Sequence, residues 1–96
     1  MTAQSKTLLT IITEVALENS LIDDFKRLGV TGYTIVEARG LGTHGLRTGN
    51  WRKEGNIRID IVADSDQCAR IVEHLRSAYD RDYGLLMYSC PIDLHV

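Results

Sequence analysis

The sequence is poor in several features that mark whole classes of protein. It has two cysteines, Cys68 and Cys90. They are too few for a disulfide framework and lack metal-site spacing. No run free of charge, glycine and proline is long enough to cross a bilayer, so no membrane insertion is expected. The net charge is −2, which does not favour nucleic acid, since such binding leans on a basic surface. Met1 to Lys6 shows no charged leader before an apolar core. A cytoplasmic location with reduced thiols is the expectation. No internal repeat and no low-complexity tract occurs.

What is present is the balance of a globular domain: 44% hydrophobic and 25% charged residues in 96 positions. The length allows one core, so a single domain over residues 1–96 is expected. Apolar burial on folding is worth about 140 kcal/mol, and ordering the chain costs about the same. A lone copy is marginal, which makes self-association the first expectation.

Hydrophobic periodicity gives the element order. Lys6 to Thr13 reads as a strand apolar on both faces and therefore central. Leu17, Leu21, Phe25 and Leu28 form one stripe of a helix, with Glu18, Asp23, Asp24, Lys26 and Arg27 on its polar surface. Gly29 follows as the left-handed C-terminal residue. Tyr33 to Arg39 and Asn56 to Ala63 read as strands. Asp64 and Gln67 form a capping box for a second helix, with Ala63 and Cys68 as its hydrophobic staple. The stripe of that helix is Cys68, Ile71, Val72, Leu75, Ala78 and Tyr79. Gly84 leads into a last strand, Leu85 to Leu94, where Pro91 demands a sheet edge. Cys90 in that strand is expected to be buried.

The fold class is therefore α+β, with βαββαβ order, a ferredoxin-like sandwich. Two helices cover one sheet face, and the other, still partly apolar, is left for a partner.

One segment does not fit this economy. Gly40 to Gly55 is sixteen residues long and holds five of the eight glycines. A hairpin needs two to five residues, so a loop of this length points to function or disorder. Glycines let the backbone approach a ligand and turn N–H groups toward an anion. Thr43 and Thr48 add hydroxyls, and Arg39, Arg47, Arg52 and Lys53 add charge. Arg47 is the best phosphate clamp, because a guanidinium binds two oxygens at once. The segment opens no helix, so it is neither a Rossmann fingerprint nor a P-loop. Trp51, a large apolar residue among polar ones, either anchors the loop or meets a partner.

Residues 29–42 read GVTGYTIVEARGLG. They resemble the PII signal-transduction superfamily, where G-V/A-x-G-x-T-V/I forms a strand and K/R-G-x-G leads into a large T-loop, here about residues 40–55. The loop is shorter than in the nitrogen-regulatory proteins and has no tyrosine, so their uridylylation site is absent. Asp80 to Tyr88 replaces their T-G-x-x-G-D-G-K-I-F signature, and the triphosphate-binding lysine has no counterpart. The chain is more similar to the PII-like branch of inorganic-carbon metabolism. Gly40, Gly42, Thr43, His44, Arg47 and Thr48 fill that branch's G-x-G-S-R-x-x-R-S loop. Asp82, Tyr83 and Tyr88 fit its D-Y-x-x-I/L-x-Y strand. His44 stands in place of arginine, which implies weaker or pH-dependent phosphate binding.

The resemblance implies a non-catalytic homotrimer with an adenine-nucleotide site in each cleft between copies. ADP and AMP are the expected ligands, with ATP, cyclic AMP and bicarbonate as further candidates and no cofactor. Gly32, Tyr33 and Thr34 would contact base or ribose from one copy. Gly40, Leu41, Gly42, Thr43, His44 and Arg47 would hold phosphates, and Gly84, Leu85 and Leu86 would line the base from the other side. The T-loop would regulate a bicarbonate transporter or a carboxysome component. Two other readings are a nitrogen-type regulator of a transporter and a trimeric divalent-metal binder using His44, His74, His95 or Cys90. An acylphosphatase-like hydrolase shares the fold, but Glu14-Val15-Ala16 lacks the glycine and arginine of its phosphate loop.

Overall fold

The computed structural model describes residues 2–40 and 55–96. Its elements are β1 (Ala3–Glu14), a 3-10 turn (Val15–Leu17), α1 (Glu18–Arg27), β2 (Thr34–Ala38), β3 (Asn56–Ala63), α2 (Ser65–Tyr79) and β4 (Leu85–His95). The four strands form one antiparallel sheet in the order β2-β3-β1-β4. This is the expected ferredoxin-like arrangement, with β1 central and the Pro91-bearing strand at an edge.

Strand alternation sorts the side chains into two faces. Leu9, Ile11, Thr13, Ile57, Ile59 and Ile61 point under the helices and are buried. Leu17, Leu21, Phe25, Cys68, Ile71 and Leu75 close the core from above. Tertiary pairing makes β1 longer than its apolar run. Ala3, Gln4 and Ser5 pair with His95, Leu94 and Asp93. The two strands thus run on as a ribbon beyond β3, whose pairing with β1 starts at Thr7 and Ala63.

Helix α1 ends as expected. Gly29 has φ +79°, its N–H reaches the Lys26 carbonyl, and the Val30 N–H reaches the Phe25 carbonyl. These two bonds make a Schellman motif, which needs a left-handed residue at that point.

Four local expectations are corrected. Asp64 precedes α2 but makes no side-chain cap. Its carboxylate accepts from Lys6 Nζ at 2.9 Å, and Gln67 Nε2 donates to the Leu28 carbonyl at 3.3 Å. Both box residues are drawn to partners distant in sequence. Asp24 lies buried, not on the polar surface, because α2 packs over it. Ala78 is exposed, beyond the edge of the α2 stripe. Cys90 is exposed as well: its register with Leu8 puts it on the uncovered face.

Candidate functional site

The expected site residues within the described segments fall into two groups. Gly32, Tyr33 and Thr34 enter β2, and all three are exposed. The Tyr33 ring rests 5.6 Å from that of Phe25, which anchors the segment to the core. Gly84, Leu85 and Leu86 enter β4, with Leu86 exposed and the other two half-buried. Gly40 is exposed two residues past the end of β2. Leu41, Gly42, Thr43, His44 and Arg47, together with Trp51, lie outside the described residues.

One chain does not bring the two groups together. β2 and β4 are opposite edges of the sheet, with β3 and β1 between them. Three strand spacings separate them by about 14 Å. Along the strands they are offset: Leu86 is level with Val36 through Ile12 and Arg58, whereas Thr34 is level with Tyr88 through Asp60 and Thr10. Two copies set edge to edge, with a shift along the strands, would face one group with the other.

The β4 entry is held from β1 by residues that the sequence reading did not single out. Thr13 Oγ1 donates to the Gly84 carbonyl at 2.7 Å. Glu14 Oε2 accepts from the Gly84 N–H at 3.2 Å. These bonds hold both polar groups of one glycine backbone. They span some seventy positions and leave no local signal.

Behind Gly84, α2 ends in a second polar assembly. Tyr79 stacks edge-on against Tyr83, with centroids 6.1 Å apart. Its hydroxyl donates to Asp24 Oδ2 at 2.5 Å. His74 Nε2 lies 3.3 Å from the same oxygen, and Arg27 pairs with Oδ1. Burial, then the bond to Asp24, pushes the Tyr79 phenol up to about 12. Burial also raises the Cys68 thiol, helped by the nearby Asp64 charge.

The uncovered sheet face is mixed. Val36, Val62, Leu86 and Tyr88 are 39–50% exposed on it. At its centre Asp60 Oδ1 accepts from Thr10 Oγ1 at 2.8 Å and from Arg58 Nε at 3.2 Å. The bond and charge of Asp60 raise the pKa of Arg58.

His74 sits on α2, while Cys90 and His95 sit on β4. Among the described residues no three histidine, cysteine, aspartate or glutamate side chains gather as a metal site. No described helix is long and apolar enough to cross a membrane.

Two helices on one face of a four-stranded antiparallel sheet in this strand order define the class: a ferredoxin-like domain. The model of the family "Nitrogen regulatory protein P-II" matches residues 6–94. The chain belongs to this family. It is 32% identical to a candidate PII-like signalling protein of Thermus thermophilus, covering 98% of this chain and 92% of that one, with a TM-score of 0.81. It is 25% identical to CPII of Thiomonas intermedia in a structure bound to ADP and bicarbonate, covering 96% and 90%, with a TM-score of 0.81. A second CPII structure, bound to ADP, AMP and bicarbonate, matches at 23% identity over 98% and 97%, again with a TM-score of 0.81.

Proposed function

We propose that this chain is a non-catalytic PII-like signalling protein that binds adenine nucleotides in clefts between the copies of a homotrimer. The observation that carries the reading is the placement of Gly32–Thr34 and Gly84–Leu86 at the starts of the two strands on opposite sheet edges. That placement supports a cleft completed by two copies. CPII, with ADP, AMP and bicarbonate bound, supports the ligand class.

Gly32, Tyr33 and Thr34 contact base or ribose, and Gly84, Leu85 and Leu86 line the base from the next copy. Gly40, Leu41, Gly42, Thr43, His44 and Arg47 take the phosphates. Bicarbonate is a further ligand. A segment ordered by ligand and then shown to a partner is a population shift, the usual logic of a sensor. The target is a bicarbonate transporter or a carboxysome component.

Calorimetric titration with ADP, AMP, ATP and cyclic AMP, with and without bicarbonate, tests the reading. Saturable heat with at least one nucleotide is expected. No heat from a folded oligomer with any of them overturns it.

A further inference from the structure

The centre of the uncovered sheet face carries a half-completed ion pair. Asp60 Oδ1 takes both the Thr10 hydroxyl and Arg58 Nε. Among the described residues, Asp60 Oδ2 and the two terminal amino groups of Arg58 make no hydrogen bond. Both side chains stay partly exposed, Arg58 at 43% and Asp60 at 33%. Around them stand Val36, Val62, Leu86 and Tyr88, all exposed. Large exposed apolar side chains around a polar centre mark a face that something covers.

The charges restrict what can cover it. An apolar helix or a lipid surface would strip water from the carboxylate and the guanidinium without supplying the missing partners. That desolvation is unfavourable unless the remaining hydrogen bonds are made. A second copy of this chain brings both: an arginine for the free oxygen and a carboxylate for the free amino groups. In a closed ring the contact is head-to-tail, so each copy gives its Asp60 to one neighbour and its Arg58 to the other. No charge is then left over.

We propose that Arg58 and Asp60 set the register and the partner choice of self-association, Asp60 Oδ2 of one copy accepting from Arg58 of the next. The assignment rests on the homotrimer reading above and goes beyond it by naming the pair that selects this chain's own copies. Thr10 positions the carboxylate from β1. A buried polar pair that fixes register is a documented use of such groups.

Charge reversal tests it in the full chain. Asp60→Arg and Arg58→Asp are made singly and together, and mass-tagged wild type is mixed with each. Sedimentation reads assembly and native mass spectrometry reads mixing. Each single reversal is expected to weaken assembly by about tenfold or more. The double reversal restores an oligomer of its own but forms no mixed oligomers with wild type. Should a single reversal fail to fold by circular dichroism, Asp60→Asn and Arg58→Gln carry the test at similar shape, with weaker assembly expected. Free statistical mixing of the double reversal with wild type, or neutral variants that assemble as tightly as wild type, overturns the assignment. A wild-type chain that stays monomeric instead overturns the homotrimer reading on which it rests.

Discussion

The Thr13 hydroxyl donates to the carbonyl of Gly84 across a sequence separation of 71, at 2.7 Å. The central strand thereby fixes the start of the edge strand that carries half of the candidate cleft. Thr13→Val keeps the shape and removes the donor, leaving the carbonyl without that bond. A loss of about 1 kcal/mol in stability is expected. Affinity for ADP falls with it, because Leu85 and Leu86 follow directly on the loosened glycine. Urea unfolding and ADP calorimetry on the same variant read the two effects.

Two glycines are expected to answer differently to alanine. Gly29 holds φ +79° at the end of α1, a conformation in which a Cβ is strained. Gly29→Ala should cost about 1 kcal/mol and leave ligand binding alone. At Gly32 an added Cβ meets nothing within 4 Å. Gly32→Ala should therefore unfold like wild type and still lose nucleotide, since the space it fills is where base or ribose would approach. Denaturation midpoints and ADP titrations of both variants check the contrast.

Tyr79 makes stability depend on pH at the alkaline end. Its folded-state pKa of about 12 lies above the ordinary value of 10.0, so the folded chain holds the phenolic proton more tightly than the unfolded chain. The contribution is fully present below pH 10.0 and is lost as the pH rises through about 12. Tyr79→Phe removes a hydrogen bond to a charged partner, worth about 1–3 kcal/mol at neutral pH. It should also flatten the alkaline decline. Urea midpoints from about pH 7 to pH 12, wild type against variant, measure both.

The proposed function gives Arg47 the phosphate. Arg47→Ala should weaken ADP by about tenfold or more, as loss of a charged hydrogen-bond donor does. Adenosine, which has no phosphate, should bind the variant as it binds wild type. Equal loss for both ligands removes Arg47 from that role.

How far the fold was legible depended on where each element's partners lie. β3 runs from Asn56 to Ala63 as read, because Ile57, Ile59 and Ile61 alternate with Arg58 and Asp60 along it. β1 begins three residues earlier than its apolar run, since Ala3, Gln4 and Ser5 are strand only by pairing with β4. Asp64 and Gln67 have capping-box spacing, but Lys6 and the Leu28 carbonyl take their side chains. Asp24 reads as a surface acid on its own helix. It is buried because Tyr79 and His74 reach it from the other helix. For the candidate site, only family resemblance points to the glycine-bearing segments at both edges. Thr13, Glu14 and the Asp60–Arg58 pair were not, since their roles come from strand register.

The central claim is that each nucleotide site is built from two copies. The most direct measurement mixes two binding-dead chains. One carries Gly32→Trp, filling the β2 side, and the other Gly84→Trp, filling the β4 side. Each alone should assemble and bind no ADP. Co-refolded in equal amounts, they should regain about a quarter of the wild-type sites, the random share of clefts in a ring that receive both intact halves. A mixture as inert as its two components would contradict the account, because sites held within single chains cannot complement each other.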